Sequence, residues 1–219
     1  MLIDWINDIS NRHVGGVFLE IGCGPRGLVK QISKYATFVV ETDIRIHQRW
    51  VSIGYPDTSF LAADAMKLPF CNSGFDLVVM LNSLHHIPDP ARAMDECVRV
   101  CKPGGGLFII EPTVTGPLTE VIKPLDDETD VRGASIGLLQ GYYSAFRPEN
   151  RMRVTIESYS SFDAFDDFLF KITQAAEDRS KANSDVLDAV KHEFFKLSTR
   201  DSSGRYVLRQ DLVAFYFLL

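Results

Sequence analysis

No apolar run in this sequence is long enough to cross a bilayer. The longest strongly apolar stretch is LVAFYFLL at residues 212–219, whereas a spanning helix needs about 20 such residues. The opening segment MLIDWINDISNR carries acidic residues and no long apolar core, so it does not read as a secretory signal. Cysteine is scarce: four residues at positions 23, 71, 97 and 101, with no CxxC pair. No Cys/His cluster has zinc-ligand spacing, so no metal site is expected, and reduced thiols in a cytoplasmic protein are the default. Positive charge is also in deficit, with 23 Lys and Arg against 29 Asp and Glu and a net charge of −6. Neutralising phosphates takes clustered Lys and Arg, so a nucleic-acid partner is not expected. Internal repeats and long linkers are absent too.

What is present is a chain of 219 residues, 46% hydrophobic and 24% charged, the mix of a soluble globular domain with a sizeable core. After an amphipathic helix over residues 2–11, short continuous apolar strands alternate with helices. Strands are expected at 17–21, 38–43, 59–61, 75–81 and 107–110. Helices are expected at 28–35, 43–53 and 90–100, the last closed by Lys102-Pro103-Gly104-Gly105. Fully apolar strands interleaved with helices predict a parallel sheet covered on both faces. The expected fold class is therefore α/β, a Rossmann-like doubly wound sheet, mostly parallel, with an antiparallel final strand at 213–218. Beyond Pro112 the pattern is weaker: a strand at 153–158, helical patterns at 162–176 and 184–197, and a turn at Ser202-Ser203-Gly204. The whole chain reads as one domain, with 1–112 as cofactor-binding core, 113–150 as a lid or substrate segment, and 151–219 completing the sheet.

In such sheets the ligand sits outside the carboxyl ends of the strands, where strand order reverses. The residues at those ends are Glu20 to Gly27, Asp43, Asp64, Asn82 to His86, and Glu111. Gly22-x-Gly24-x-x-Gly27 matches the dinucleotide fingerprint literally, with Asp43 placed to accept from ribose hydroxyls. Glu20 bears on which ligand is meant. A carboxylate two residues before the first glycine opposes a pyrophosphate and suits a cation. Asp64 and the Ala65 N–H could serve an adenine ring.

The segments FLEIGCG (18–24), FVVETD (38–43), AADAMKLPF (62–70), FDLVVMLNSLHHIPDP (75–90) and DECVRVCKPGGGLFIIEP (95–112) together resemble class I S-adenosylmethionine-dependent methyltransferases, the broad small-molecule subgroup that includes quinone-biosynthesis enzymes. One departure is that the third glycine falls at Gly27, a residue later than in the family, with Arg26 in its place. The resemblance implies an enzyme that uses S-adenosyl-L-methionine to methylate a small-molecule acceptor at an O, N or C atom. It implies a cofactor site of Glu20, Gly22, Cys23, Gly24, Gly27, Asp43, Ile44, Asp64, Ala65, Leu81 and Asn82. If the acceptor must lose a proton, His86 is the expected base, ahead of His85. Glu111 would either orient substrate or cap the segment that follows it. Tyr142, Tyr143 and Phe146 would wall an acceptor site or pack in the core. Phe162, Phe165 and Leu169 read as a buried helical stripe, and the acidic run at 126–130 as solvated surface. Two alternatives stand beside this reading: an NAD(P)-dependent oxidoreductase, favoured by the literal glycine spacing, and a non-catalytic relative acting by association.

Overall fold

The computed structural model describes residues 2–24, 27–45, 56–175 and 183–219. The helix expected over 43–53 lies outside them from residue 46 onward, as do Pro25 and Arg26. By contacts the chain forms two compact units, one of residues 1–111, 134–155 and 213–219, the other of residues 112–133 and 156–212.

The first unit opens with helix α1 (Leu2–Arg12), which buries Ile6 and Ile9. Strands β1 (Gly16–Ile21), β2 (Ala36–Asp43), β3 (Thr58–Ala62), β4 (Phe75–Leu81) and β5 (Cys101–Pro112) follow, with the single-turn helix α2 (Val29–Ile32) between β1 and β2 and helix α3 (Pro90–Val100) between β4 and β5. Pairings β1–β2, β2–β3, β1–β4 and β4–β5 are all parallel. Strand order is β3-β2-β1-β4-β5 and continues through β8 (Tyr206–Leu218) to β6 (Arg151–Phe162), with the short β7 (Thr199–Arg200) pairing β8. The order therefore reverses between β1 and β4, and the crevice beyond their carboxyl ends is the switch point of the sheet. Leu19, Leu77, Val78, Val79, Met80, Leu107, Phe108 and Ile109 are all buried, as strands covered on both faces must be. Helix α3 shows why the sequence folds this way locally. The Asp89 carboxylate accepts the Arg92 N–H (3.0 Å), Pro90 occupies the first turn, and Ala93, Met94, Cys97 and Val100 form the buried stripe.

Several boundaries differ from the sequence expectation. The helix expected over 28–35 is only the turn Val29–Ile32, because the Leu28 N–H is taken by Glu20 and the chain turns into β2 at Ala36. Lys102-Pro103-Gly104-Gly105 lies within β5 rather than in a turn. The Gly104 N–H donates to the Leu219 carbonyl (2.7 Å), and the Leu219 N–H donates to that of Gly105 (2.9 Å). The chain's last residue thus holds the start of β5. Farther along, the Thr113 N–H donates to the Asp211 carbonyl. Partners that descend along one strand as they ascend along the other make β8 antiparallel to β5, as expected. β6 and β8 are both longer than anticipated.

The segment after Pro112 carries helices α4 (Pro117–Ile122) and α5 (Thr129–Ala145). The acidic run 126–130 is not merely solvated. Asp127 accepts from the Thr129 N–H and hydroxyl at the start of α5, and Glu128 pairs with the buried Arg132. Tyr142, Tyr143 and Phe146, at the end of α5 and just beyond it, pack against the first unit's core. The Tyr142 hydroxyl donates to Asp95 (3.1 Å).

The second unit has its own core, built from Leu118, Val121, Leu125, Phe162, Phe165, Phe168, Val190, Phe194 and Leu208. It takes in helices α6 (Phe165–Ala175) and α7 (Ser184–Leu197), the latter capped by Asn183 accepting the Val186 N–H. Phe162 ends β6 rather than starting the helix, but its ring still meets Phe168 edge-on at 5.2 Å between centroids. All four cysteines are free. Burial pushes the thiols of Cys97 and Cys101 up to about 12. No helix of the described residues is long and apolar enough to cross a membrane.

Candidate active site

The expected site residues gather at the carboxyl ends of β1 to β4. The chain leaves β1 through Gly22, whose φ is +70°. A Cβ there would lie 2.5 Å from the Cβ of Ser83, so glycine is required by both conformation and space. Ser83 belongs to the segment leaving β4, and its hydroxyl donates to the Ile21 carbonyl (3.0 Å). The N–H groups of Gly22 and Cys23 both donate to the Thr42 carbonyl at the end of β2 (2.8 and 3.1 Å). Three strand ends are thereby stitched together. Gly24 also has positive φ, but a Cβ on it would meet nothing within 4 Å.

Asp43 ends β2 and reaches back to the loop. Its Oδ2 accepts the Gly24 N–H (2.9 Å) and its Oδ1 accepts the Arg45 N–H (3.0 Å). A carboxylate has about four acceptor positions, and these two N–H groups are its partners among the described residues. Ile44, next along, is exposed. Past β3, Asp64 Oδ1 accepts the Met66 N–H (2.8 Å), which turns the Ala63-Asp64-Ala65 segment out of the sheet. Leu81 ends β4. Asn82 follows in the left-handed region at φ +51°, its N–H donating to the Ile110 carbonyl (2.8 Å) while its buried Oδ1 has no hydrogen-bond partner.

Glu20 lies inside the loop rather than on its surface. It is 2% exposed and accepts the Leu28 N–H through both carboxylate oxygens (2.8 and 2.7 Å). Burial first, and the neighbouring Glu41 second, push its carboxyl up to about 8, against the opposing pull of the Leu28 N–H. Burial raises Glu41 as well. The Cys23 thiol is also raised, by burial and by the carboxylates around it. Gly27, which the spacing presents as the third glycine of a cofactor loop, faces these acids. A Cβ on it would lie 2.3 Å from Glu41 Oε1 and 3.1 Å from Glu20 Oε2.

The two histidines that follow β4 have opposite surroundings. They share a 3-10 turn, Leu84–His86, with ring centroids 4.1 Å apart. His85 is buried with its Nδ1 bonded to Glu111, whereas His86 is exposed. Glu111 is itself fully buried and caps that turn. Its Oε1 accepts the N–H groups of Ser83 (3.1 Å) and Leu84 (3.0 Å), and its Oε2 holds His85. The sequence expectation for Glu111 is to orient substrate or to cap the segment that follows it; instead it caps the turn that leaves β4.

The sequence reading gives no role to Glu41, and includes Ser83 only within the strand-end range Asn82 to His86. Glu41 stands two residues before Asp43 on one strand, so the two share a face; that spacing is the available signal. Nothing local in the sequence marks the role of Ser83, because its partners belong to β1 and β5.

Residues 19–109 match the family model described as "Methyltransferase domain". A demethylmenaquinone methyltransferase of Paenarthrobacter aurescens (strain TC1) is 43% identical over 107 residues, covering 48% of this chain and 42% of that protein. The chain spans less than half the length of the curated relatives it matches. Among solved structures, the YcgJ protein of Bacillus subtilis superposes with a TM-score of 0.63 at 19% identity, covering 99% of this chain and 98% of that one. An N-methyltransferase from Haemonchus contortus, solved with S-adenosylhomocysteine, superposes with a TM-score of 0.57 at 17% identity over 98% of this chain and 52% of that one. Residues 19–109 thus match the methyltransferase domain family, and the chain shares the Rossmann-like fold of these solved structures.

Proposed function

We propose that the chain binds S-adenosyl-L-methionine at the switch point and transfers its methyl group to a small-molecule acceptor. The observation that carries this reading is Asp43. At the end of β2 it is anchored by two backbone N–H groups and, among the described residues, its remaining acceptor positions are left for a ribose diol. The orphaned Asn82 Oδ1 supports the same ligand, since a buried acceptor is costly until a donor such as the methionyl ammonium arrives. Gly22, Cys23 and Gly24 present backbone to the ligand, Gly24 with open space on its Cβ side. Asp64 and the Ala65 N–H take the adenine edge, while Ile44 and Leu81 flank the nucleoside. When bound, the cofactor supplies a methyl group already activated on a sulfonium, so the protein's task is mainly to hold the acceptor in line. Exposed His86, held by the Glu111-capped turn, takes the proton from an acceptor hydroxyl or amine.

The glycine spacing alone would favour a nicotinamide cofactor. The acids behind Gly27 speak against it, because negative charge beneath the loop opposes a pyrophosphate and suits a cation. Calorimetric titration with S-adenosylmethionine, S-adenosylhomocysteine and NAD separates the two readings. The first two are expected to bind and NAD is not; NAD binding without S-adenosylmethionine binding overturns the proposal. Turnover against a panel of hydroxyl, amine and activated-carbon acceptors then identifies the acceptor atom.

A further inference from the structure

The acids behind Gly27, buried Glu20 and half-buried Glu41, take no step in the methyl transfer proposed above. Glu20 on β1 and Glu41 on β2 are register partners across the parallel β1–β2 pair. Residues opposite one another on paired strands project to the same side, and both carboxyl groups converge on the backbone of Gly27, within 3.1 Å of its missing Cβ. Glu20 then holds the Leu28 N–H with both oxygens. Two carboxyl groups in contact, one fully buried and the other half-buried, resist ionising together.

We propose that Glu41 is a positioning residue that shares one proton with Glu20, and that this shared proton clamps Gly27 and Leu28 against β2 in the cofactor-binding form. Only the last clause rests on the proposed function. The upward displacement of both carboxyls, caused first by burial, agrees with it. Among the described residues, the other groups beside the pair are the Leu28 N–H and the Cys23 thiol, with Asp43 two residues along β2 and next to that thiol. Apart from the Leu28 N–H these are acids, and they favour keeping the proton. Once the proton leaves, two adjacent charges must separate, and either Leu28 or β2 loses its hold on the loop.

The sign follows from proton linkage. A carboxyl whose folded pKa is raised from 4.5 to about 8 contributes stability that is fully present at low pH and lost as pH rises through 8. Glu41→Gln supplies a hydrogen-bond donor to Glu20 that does not titrate. The experiment compares wild type with Glu41→Gln between pH 5 and 10, reading the denaturation midpoint without ligand and the affinity for S-adenosylhomocysteine. Relative to the variant, the wild-type midpoint is expected to fall between pH 4.5 and 8. Wild-type affinity should weaken above pH 8 by up to roughly tenfold per pH unit, the limit for one linked proton, while the variant's stays level. Parallel curves for the two proteins overturn the proposal. Carboxyl-carbon NMR of the wild type decides the matter even if the variant fails to fold. A buried glutamate titrating near 8 supports the shared proton, and all glutamates titrating near 4.5 overturn it. If S-adenosylhomocysteine does not bind at pH 7, the functional reading fails, while the midpoints and the NMR still judge the clamp.

Discussion

At the scale of single residues, the site separates side chains that act outward from those that hold the frame. Asp43 is anchored yet, among the described residues, has acceptor positions left, so it is the residue whose loss should weaken the cofactor most. Asp43→Ala is expected to reduce S-adenosylmethionine affinity by about 1.5–3 kcal/mol, the scale for hydrogen bonds to a charged group. Calorimetry checks this, with circular dichroism to confirm the fold; unchanged affinity in a folded variant removes Asp43 from the ribose role. The histidines make a paired prediction. His86→Ala should lower kcat by about 10²–10⁴-fold where the acceptor loses a proton and leave cofactor affinity unchanged. His85→Ala should instead lower the melting temperature, because it strips a buried partner from Glu111. Equal kinetic losses with equal stability would show that burial does not separate their roles.

At the scale of elements, the crevice is built by contacts between the segments that leave different strands. The loop after β1 touches the segment after β4 at Gly22 and Ser83, and hangs from β2 through the Thr42 carbonyl. Gly22→Ala asks for positive φ from an alanine and drives its methyl into Ser83 Cβ. The expected cost is at least about 1–3 kcal/mol for the backbone strain alone, read by chemical denaturation. Ser83→Gly in the same background should recover the part due to the clash but not the part due to φ. Recovery of the whole loss would mean that the loop tolerates alanine at that φ. Glu111 plays the corresponding part on β5. By accepting from Ser83 and Leu84 it sets the path of the turn that carries both histidines.

At the scale of the whole molecule, the described residues bury apolar side chains in separate clusters. One surrounds β1, β4 and β5 and includes Phe215; another is an aromatic cluster centred on Phe168 and Phe194. Phe215→Ala and Phe194→Ala are each expected to cost about 3–5 kcal/mol, the range for removing a fully buried ring. The two clusters have no residue in common, so the double variant should equal the sum of the singles within about 0.5 kcal/mol. Denaturant titration of the four proteins measures this, and a larger deviation would show that the cores are coupled.

The sequence by itself determined the elements and the chemistry at their ends. The strands are local apolar runs, α3 is announced by its Asp89 cap and Pro90, and the acids and glycines that terminate β1 to β3 are visible as single letters. These are short-range signals, and a period of two or 3.6 residues survives without knowledge of the partner. Where β5 begins was decided elsewhere, because its first residues are held by the chain's end, more than a hundred residues away. Tertiary structure alone decided that Glu20 meets Glu41, since only the β1–β2 register places them opposite one another. It decided that Gly27 makes room for acids rather than for a ligand. It also decided that, of two adjacent histidines on one turn, His85 turns inward to Glu111 and His86 stays exposed. Each of these depends on which side chain fills the space beside it, and that space is made by strands far apart in the sequence and brought together only when the sheet assembles.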